Sequence, residues 1–415
     1  MPPSPAPRVV LGVSGGIAAY KSCELLRALT ESGHHVDVIP TEAALRFVGA
    51  ATFEALSGNP VTTGVFSDIP SVRHVRLGQQ ADLIVIAPAT ADLIARMAAG
   101  RADDLLTSTL LATLAPVAIA PAMHTEMWQH PATQANIATL RSRGVTVIGP
   151  ASGRLTGKDT GPGRMAEPAE IAQLARVLLE RRDALPHDLA GTRVLVTAGG
   201  TREPLDPVRF LTNRSSGKQG YALVQVAAAR GAAVTLISAN AALPTPAGVD
   251  LVRVETALEL QEATVAAAAD HDVVVMAAAV SDFRPTERSS SKIKKTAAEP
   301  ERIALAKNPD ILAGLVAERE AGRLPAGLRI VGFAAETGDE RYTVEEYGKQ
   351  KLGRKRCDYL VVNDVGEGGA FESDTNAGLI IGRDGRTTEI PRGSKQLVAA
   401  QILDVVTASA GSPSA

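Results

Sequence analysis

Twice along this chain a short aliphatic run breaks at paired glycines and continues with helical periodicity, and this pattern restricts the fold more than any composition figure. Arg8–Val13 runs into Gly15-Gly16, after which Ser22, Leu25, Leu26 and Leu29 recur at helical spacing. Arg193–Thr197 runs into Gly199-Gly200 in the same way. A strand that turns at glycines into a helix begins a βαβ unit, and such units stack into parallel sheets with helices on both faces.

The rhythm continues on both sides of a break. In the first half His35–Ile39, Asp82–Ala87, Pro116–Ala120 and Val145–Ile148 read as strands, with helices over Ala91–Ala99 and Leu105–Leu114. Between Ala151 and Arg164 the glycines at 153, 157, 161 and 163 predict a loop able to reorganise over a site, or else a plain surface loop. A helix from Glu167 to about Arg182 leads into a short polar segment that contains Pro186. The second half predicts helices over Gly217–Arg230, Ala257–Ala268, Asn308–Glu320 and Val344–Lys355, strands at Ala233–Ser238, Asp272–Ala277, Ile330–Phe333 and Tyr359–Val362, and a hairpin around Arg383–Arg386. The expected division is a domain over 1–183, a linker over 184–190, a second domain over 191–407 and a tail over 408–415. The two halves share this grammar without a residue-level repeat.

Bulk numbers set the boundaries. With 415 residues the chain exceeds one ordinary core, and 45% hydrophobic against 3% aromatic residues means that aliphatic side chains fill two. The 43 basic and 45 acidic residues give a net charge of -2, which offers no global attraction to nucleic acid or an anionic membrane. Cys23 and Cys357 lie in opposite halves and form neither a disulfide framework nor a metal cluster. The proline-rich, uncharged start does not read as a secretory signal, and no run of 18 apolar residues predicts a membrane span. A soluble, cytoplasmic α/β enzyme is the expectation.

Candidate chemistry clusters beyond strand ends, where ligands gather in a parallel sheet. In the first half, Ser14, Gly15 and Gly16 let backbone amides approach a phosphate, or simply make a tight turn. Thr90, in Ala87-Pro88-Ala89-Thr90, could bind phosphate or a ring edge, and Met123, in Pro121-Ala122-Met123-His124, could touch a flat cofactor or merely pack. His74, between arginines, reads as an exposed-loop histidine that can exchange a proton near neutral pH.

In the second half, Gly199-Gly200-Thr201-Arg202-Glu203-Pro204 continues to Asn213-Arg214-Ser215-Ser216-Gly217-Lys218, with hydroxyls and glycines suited to anions. It contains no GxGxxG, which weakens a dehydrogenase reading. Asp282 is read as following an apolar strand end, a position for a nucleotide or hydrated Mg2+. Lys292, Lys294 and Lys295 read alone as a solvated charge run; Lys351 and Lys355 stand one helical turn apart.

Taken in order, these motifs resemble the bifunctional phosphopantothenoylcysteine decarboxylase/phosphopantothenate–cysteine ligase family, CoaBC, over about residues 8–407. The resemblance implies an N-terminal flavodoxin-like, parallel-sheet flavoprotein domain and a C-terminal Rossmann-like ligase domain. Ser14, Gly15, Gly16, Thr41, Thr90 and Met123 would hold FMN, His74 would engage the substrate carboxylate, and His124 would face substrate. Asn213 would serve the acyl-cytidylate intermediate, Lys292 the triphosphate, and Ser215, Ser216 and Gly217 the pantothenate phosphate. Asp282, Asn308, Pro309, Asp310, Ile311, Phe333, Lys351 and Lys355 would complete the CTP site, with Asp282 a possible Mg2+ contact.

The implied chemistry is coherent. Carbon dioxide leaves an alkyl carboxylate only when an electron sink stands β to it, and flavin oxidation at the thiol-bearing carbon supplies that sink. Amide formation needs an activated carboxylate, which CTP supplies. The implied reactants are 4'-phosphopantothenate, cysteine and CTP, with 4'-phosphopantothenoylcysteine passing between the activities; the implied assembly joins trimeric flavin domains and paired ligase domains into a dodecamer.

This chain departs from the family pattern at Asp92 and His124, where asparagine is usual, and at Gly157, where the flap cysteine is usual. Lys158, Asp159, His124 or water would then deliver the final proton. The competing readings are an NAD(P)-linked flavin reductase and a non-enzymatic nucleotide-sensing scaffold.

Overall fold

A computed structural model describes residues 6–63, 72–155, 159–294, 302–336, 338–339, 341–364 and 374–408. They divide into two compact units. The first is Met1–Asp188 with Ala228–Gly231 and Pro246–Gly248, and the second is Leu189–Ala227, Ala232–Thr245 and Val249–Ala415.

The first unit is a five-stranded parallel sheet of β1 (Arg8–Val13), β2 (His35–Pro40), β3 (Leu83–Ala89), β4 (Val117–Pro121) and β5 (Thr146–Val147). The order is β2-β1-β3-β4-β5, so the chain reverses its direction of winding between β1 and β3. All seven residues of β3 are buried, as a central strand covered on both faces requires. Val10, Ile84, Ile86 and Ile119 meet Leu93, Leu105 and Leu140 from the helices, an almost wholly aliphatic core. This is the flavodoxin-like order, in which ligands sit beyond the carboxyl ends at the point of reversal.

The segment from Ala151 to Arg164, expected as a loop, is instead largely an antiparallel hairpin of β6 (Ala151–Arg154) and β7 (Thr160–Arg164). Its glycines give no apolar alternation from which strands could be read, but they allow close docking. A Cβ on Gly163 would fall 2.2 Å from the Met123 carbonyl oxygen, and Met123 N donates to Gly163 O at 2.9 Å. The hairpin therefore lies against the segment that leaves β4.

Glu170, on the helix Pro168–Glu180, is a buried acid in this unit and accepts hydrogen bonds from Ala247 N at 3.2 Å. Burial pushes its carboxyl up to about 7, against the opposing effect of that backbone donor. The folded chain thus keeps a proton that the unfolded chain loses near the ordinary carboxylate range, so this residue's contribution to stability falls as pH rises through about 7. Glu170→Gln should gain on wild type by roughly 3 kcal/mol between pH 5 and 8 in urea denaturation; parallel pH profiles for the two proteins would contradict this.

The second unit contains an eight-stranded sheet of β8 (Arg193–Gly199), β11 (Ala233–Ala239), β12 (Val249–Val254), β13 (Val273–Met276), β16 (Arg329–Glu336), β17 (Tyr359–Asp364), β18 (Thr375–Gly382) and β19 (Thr387–Ser394). Two small ribbons flank it: β9 (Arg202–Pro204) with β10 (Phe210–Thr212), and β14 (Phe283–Pro285) with β15 (Leu305–Lys307). The large sheet runs β12-β11-β8-β13-β16-β17-β18-β19, parallel through β17 and antiparallel for the expected terminal hairpin. Its parallel part is Rossmann-like, with the reversal between β8 and β13. Leu195, Ile237, Val274, Ile330 and Leu360 form the sheet side of the core.

Among the described residues no helix is long and apolar enough to cross a membrane.

Candidate active sites

The first unit brings Ser14 and Thr90 together at its point of reversal. Ser14 is buried; its hydroxyl donates to Pro88 O at 2.7 Å and accepts from Thr90 N at 2.9 Å. Its side chain therefore ties the end of β1 to the end of β3. Thr90 caps the helix Ala91–Ala99 through Leu93 N, and Thr41 accepts from Ala44 N beyond β2. Gly15 is required by close approach, since a Cβ there would meet the Ala43 Cβ at 2.4 Å.

The Ser14 hydroxyl thus donates its proton to the backbone, whereas Thr41 and Thr90 act only as acceptors among the described residues, so their O–H groups and the backbone turn at Gly15 and Gly16 are open to a ligand. Gly16 is extended, and the chain after it makes a short 3-10 turn over Ile17–Tyr20 before the helix Lys21–Glu31. Ile17, Tyr20 and Phe47, which composition and periodicity do not single out, are 71%, 57% and 50% exposed around that end of the sheet. Their only sequence signal is an apolar residue where a strand-end turn should be polar.

His74 is not on an exposed loop. It occupies the first turn of the helix Arg73–Gln80 and is half-buried, because Leu77 and Gly78 of that short helix pack inward. A Cβ on Gly78 would lie 2.8 Å from Thr109 O, so the helix presses on Leu105–Ala112. His74 Nδ1 is buried with no hydrogen-bond partner among the described residues. A buried ring nitrogen without a partner is costly unless a ligand supplies one.

Thr125 Oγ1, just past Met123 and His124, is likewise buried and unpartnered, and it lies beneath Gly161 of the hairpin. The glycine turn at the point of reversal and these orphaned groups fit a bound phosphorylated ring cofactor. Asp159 is exposed at the hairpin's turn, whereas Gly157 and Lys158 lie outside the described residues. Asp92 faces Arg96 on the helix surface at 3.1 Å.

In the second unit a cleft of about 440 Å³ opens where β8 and β13 diverge. One wall is Asn213 through Gly220, another is Ala277–Ala279, and Phe333 and Asn363 contribute from β16 and β17. Asn213 Nδ2 donates to Val280 O at 2.9 Å, which fixes its amide across the cleft. Ser215, Ser216 and Gly217 precede the helix Lys218–Ala229; Ser215 Oγ accepts from Gly217 N at 3.3 Å and Ser216 Oγ from Lys218 N at 3.4 Å, and the positive end of the helix favours an anion. Gly217 has φ of +74°, a left-handed conformation that favours glycine. Lys395 and Asn376, absent from the sequence-derived site, also line the cleft. They arrive from more than 150 residues downstream, with no local motif to mark them.

The expected nucleotide residues form a second group. Lys355 pairs with Asp310, and Lys351 with Glu336 at 2.8 Å. Asn308 donates to Ser281 O at 2.8 Å and accepts from Arg284. Asp310 caps the helix Ile311–Glu320, so the Asn308–Ile311 run is a helix start; Ile311 itself is buried in the core. Asp282 does not directly follow a strand: β13 ends at Met276, and Asp282 is exposed just before β14. A single exposed carboxylate suits a hydrated Mg2+ shared with phosphates better than a protein-enclosed ion, and the described residues contain no group of three acidic, histidine or cysteine metal donors.

Lys292 is exposed, on a segment held from beneath by Asp206. The Asp206 carboxylate receives Arg209 at 2.6 Å and Ile293 N at 3.1 Å, while Arg209 donates to Ile293 O at 2.8 Å. The Arg209 hydrogen bond, with further backbone donors, holds this carboxyl well below the usual range. Lys295 lies outside the described residues.

Comparison with known proteins matches residues 3–179 to the family described as Flavoprotein, and 189–409 to the DNA/pantothenate metabolism flavoprotein C-terminal domain. A Mycolicibacterium smegmatis protein named coenzyme A biosynthesis bifunctional protein CoaBC is 62% identical, over 97% of this chain and 97% of its own length. The chain belongs to the CoaBC family. The CoaBC protein of Vibrio vulnificus is 46% identical over 95% of this chain and 96% of its own. A solved C-terminal domain of a CoaBC protein is 38% identical, covers 53% of this chain and 97% of its own, and superposes with a TM-score of 0.43.

Within the CoaBC frame Phe333, expected beside cytosine, lines the cleft with Ser215, Ser216 and Gly217, and Lys351 and Lys355 make ion pairs with Glu336 and Asp310. Asp206 and Arg209, bonded to the segment that carries Lys292, and Asn376 and Lys395, in the cleft wall, adjoin these residues.

Proposed function

We infer that this chain performs two steps of coenzyme A biosynthesis: CTP-dependent joining of 4'-phosphopantothenate to cysteine, then FMN-dependent decarboxylation of the product. The observation that carries the reading is 62% identity spread over 97% of the chain, which covers both sites rather than one.

In the ligase step the acid's carboxylate attacks the CTP α-phosphate, pyrophosphate leaves, and the amine of cysteine opens the resulting acyl-cytidylate. Asn213, its amide fixed on Val280 O, supports orientation of the acyl group. Lys292 supplies a compact charge to the departing pyrophosphate. Ser215, Ser216 and Gly217 receive the phosphate of the acid. The pairs Lys351–Glu336 and Lys355–Asp310 shape the nucleotide side, and Mg2+ reaches it with the nucleotide.

In the decarboxylase step FMN supplies the redox chemistry that makes loss of carbon dioxide possible. The glycine turn receives its phosphate. His74, whose Nδ1 needs a partner, holds the substrate carboxylate. Asp159 at the hairpin's turn, or Lys158, donates the final proton in place of a cysteine, with His124 at the substrate. The domains responsible are 1–183 and 191–407. The exposed Ile17, Tyr20 and Phe47 favour further burial between copies and so a homo-oligomer, which we extend to the dodecamer of trimeric flavin and paired ligase domains.

The test is to purify the chain, measure flavin absorbance, and follow pyrophosphate release. FMN should remain bound, and release should require CTP, 4'-phosphopantothenate and Mg2+ together. Flavin reduction by NADPH, or nucleotide binding without turnover, would support the reductase or scaffold instead.

A further inference from the structure

Thr201 closes the Gly199-Gly200-Thr201 motif, yet its hydroxyl does not face a ligand: the residue is 0% exposed and is not part of the cleft wall. Backbone bonds fix its place. Ala279 N donates to Gly199 O at 2.8 Å and Thr201 N to Ala279 O at 3.2 Å, so the motif runs parallel to the segment that leaves β13. Thr201 Oγ1 then accepts from Ser281 N at 3.0 Å, and Thr201 O accepts from Thr212 Oγ1 at 2.7 Å.

These bonds converge on Asn213. Val280 O and Ser281 N belong to one peptide group, which is planar and directs its C=O and N–H to opposite sides. Thr201 Oγ1 holds the N–H edge of that group, while Asn213 Nδ2 donates to its C=O edge at 2.9 Å. Only the nitrogen of the Asn213 amide can donate to a carbonyl, so the direction of Val280 O decides which way the amide faces. Asn213 Oδ1 has no hydrogen bond among the described residues and is left for a ligand. Thr212, which bonds Thr201 O, is the residue immediately before Asn213, so Thr201 holds both the backbone approach to Asn213 and the anchor of its side chain.

We propose that Thr201 is a positioning residue of the ligase reaction: through the Val280–Ser281 peptide it sets the direction of the Asn213 amide, and with it the alignment of the acyl group. The proposal rests on reading this cleft as the ligase site. Without the Thr201 hydroxyl the buried Ser281 N–H loses its acceptor, which is costly, and the peptide rotates toward another. Val280 O turns with it, and Asn213 keeps its partner only by leaving the orientation that serves the reacting acyl group. Such misalignment slows the chemical step and spares nucleotide binding.

The experiment follows ligation of 4'-phosphopantothenate and cysteine with CTP by the full chain, in steady state and in single turnovers with enzyme in excess. Thr201→Val matches threonine in shape and keeps the backbone bonds. It should lower kcat about 10-fold while KM for CTP stays within about two-fold of wild type. Thr201→Ser, which retains the hydroxyl, should restore most of the rate. Thr212→Val, at an exposed residue, carries the same test should Thr201→Val fail to fold, with an expected loss of about 3-fold in kcat. In an Asn213→Ala background neither change should cost more than about two-fold further, because the amide that they position is gone.

An unchanged kcat in Thr201→Val, or a Thr201→Ser enzyme as slow as Thr201→Val, would overturn the proposal. So would the same added loss from either change with and without the Asn213 amide, the result of a merely structural role. A wild-type chain that formed no acyl-cytidylate would overturn the reading of the cleft, and the proposal with it; that outcome is distinct from a working ligase indifferent to Thr201.

Discussion

His74→Asn should abolish decarboxylation, a loss of about 1000-fold or more, while CTP-dependent ligation continues at the wild-type rate. His74 lies in the first turn of a short helix in the first unit and is only half-buried, so the fold should survive. What disappears is a ring whose buried Nδ1 lacks a partner among the described residues and whose charge could hold a carboxylate. Flavin absorbance should be retained, which separates loss of substrate engagement from loss of cofactor. Accumulation of 4'-phosphopantothenoylcysteine, identified by mass, is the expected signature. A variant that still decarboxylates at a tenth of the wild-type rate would remove His74 from the chemistry.

Lys292→Gln should do the reverse, lowering ligation by about 1000-fold and sparing decarboxylation of added 4'-phosphopantothenoylcysteine. Its exposure makes a folding defect a poor explanation for such a loss. The buried Asp206 provides a graded companion, because its carboxylate joins Arg209 to Ile293 N beside the lysine. Asp206→Asn should cost about 10-fold in ligation by loosening the segment that presents Lys292. If Asp206→Asn were neutral while Lys292→Gln was severe, the lysine would act from a segment held in some other way. Equal damage to both activities by Lys292→Gln would contradict the division of labour.

How much of this was legible in advance depends on the kind of signal. The strand–glycine–helix starts at Arg8 and Arg193 carry both parallel sheets, because apolar runs and glycine turns are local features. The helices Ala257–Ala268 and Val344–Lys355 begin with capping boxes at Thr256 and Thr343, signals that lie within a few residues and need no tertiary information. The hairpin of β6 and β7 escaped because its glycine-rich strands show no alternation; docking on Met123 selects its form.

His74 was misread as a loop residue for a similar reason. Arg73–Gln80 spans eight residues and contains few apolar ones, and packing at Leu77 and Gly78 supplies what the local sequence does not. Ser14 and Thr90 lie beyond the ends of β1 and β3, but a residue name does not reveal that the Ser14 hydroxyl already bonds backbone on both sides while Thr90 only accepts from Leu93 N. Lys395 and Asn376 have ordinary sequence surroundings and are marked only by distant partners, whereas Asp206 lies in the glycine-rich motif after β8 and joins local donors to the distant Ile293 N. The family resemblance points to the chemistry-bearing motifs, while the pairing of Lys355 with Asp310 and the place of Phe333 in the cleft wall required coordinates.

The most direct test is mass-resolved turnover by the purified full-length chain given 4'-phosphopantothenate, cysteine, CTP and Mg2+, with no added reductant. The account predicts that cytidylate and pyrophosphate form together, that 4'-phosphopantothenoylcysteine appears and then declines, and that 4'-phosphopantetheine with one carbon dioxide accumulates in its place. Amide formation that stops at 4'-phosphopantothenoylcysteine while FMN stays bound, or consumption of no CTP at all, would contradict it.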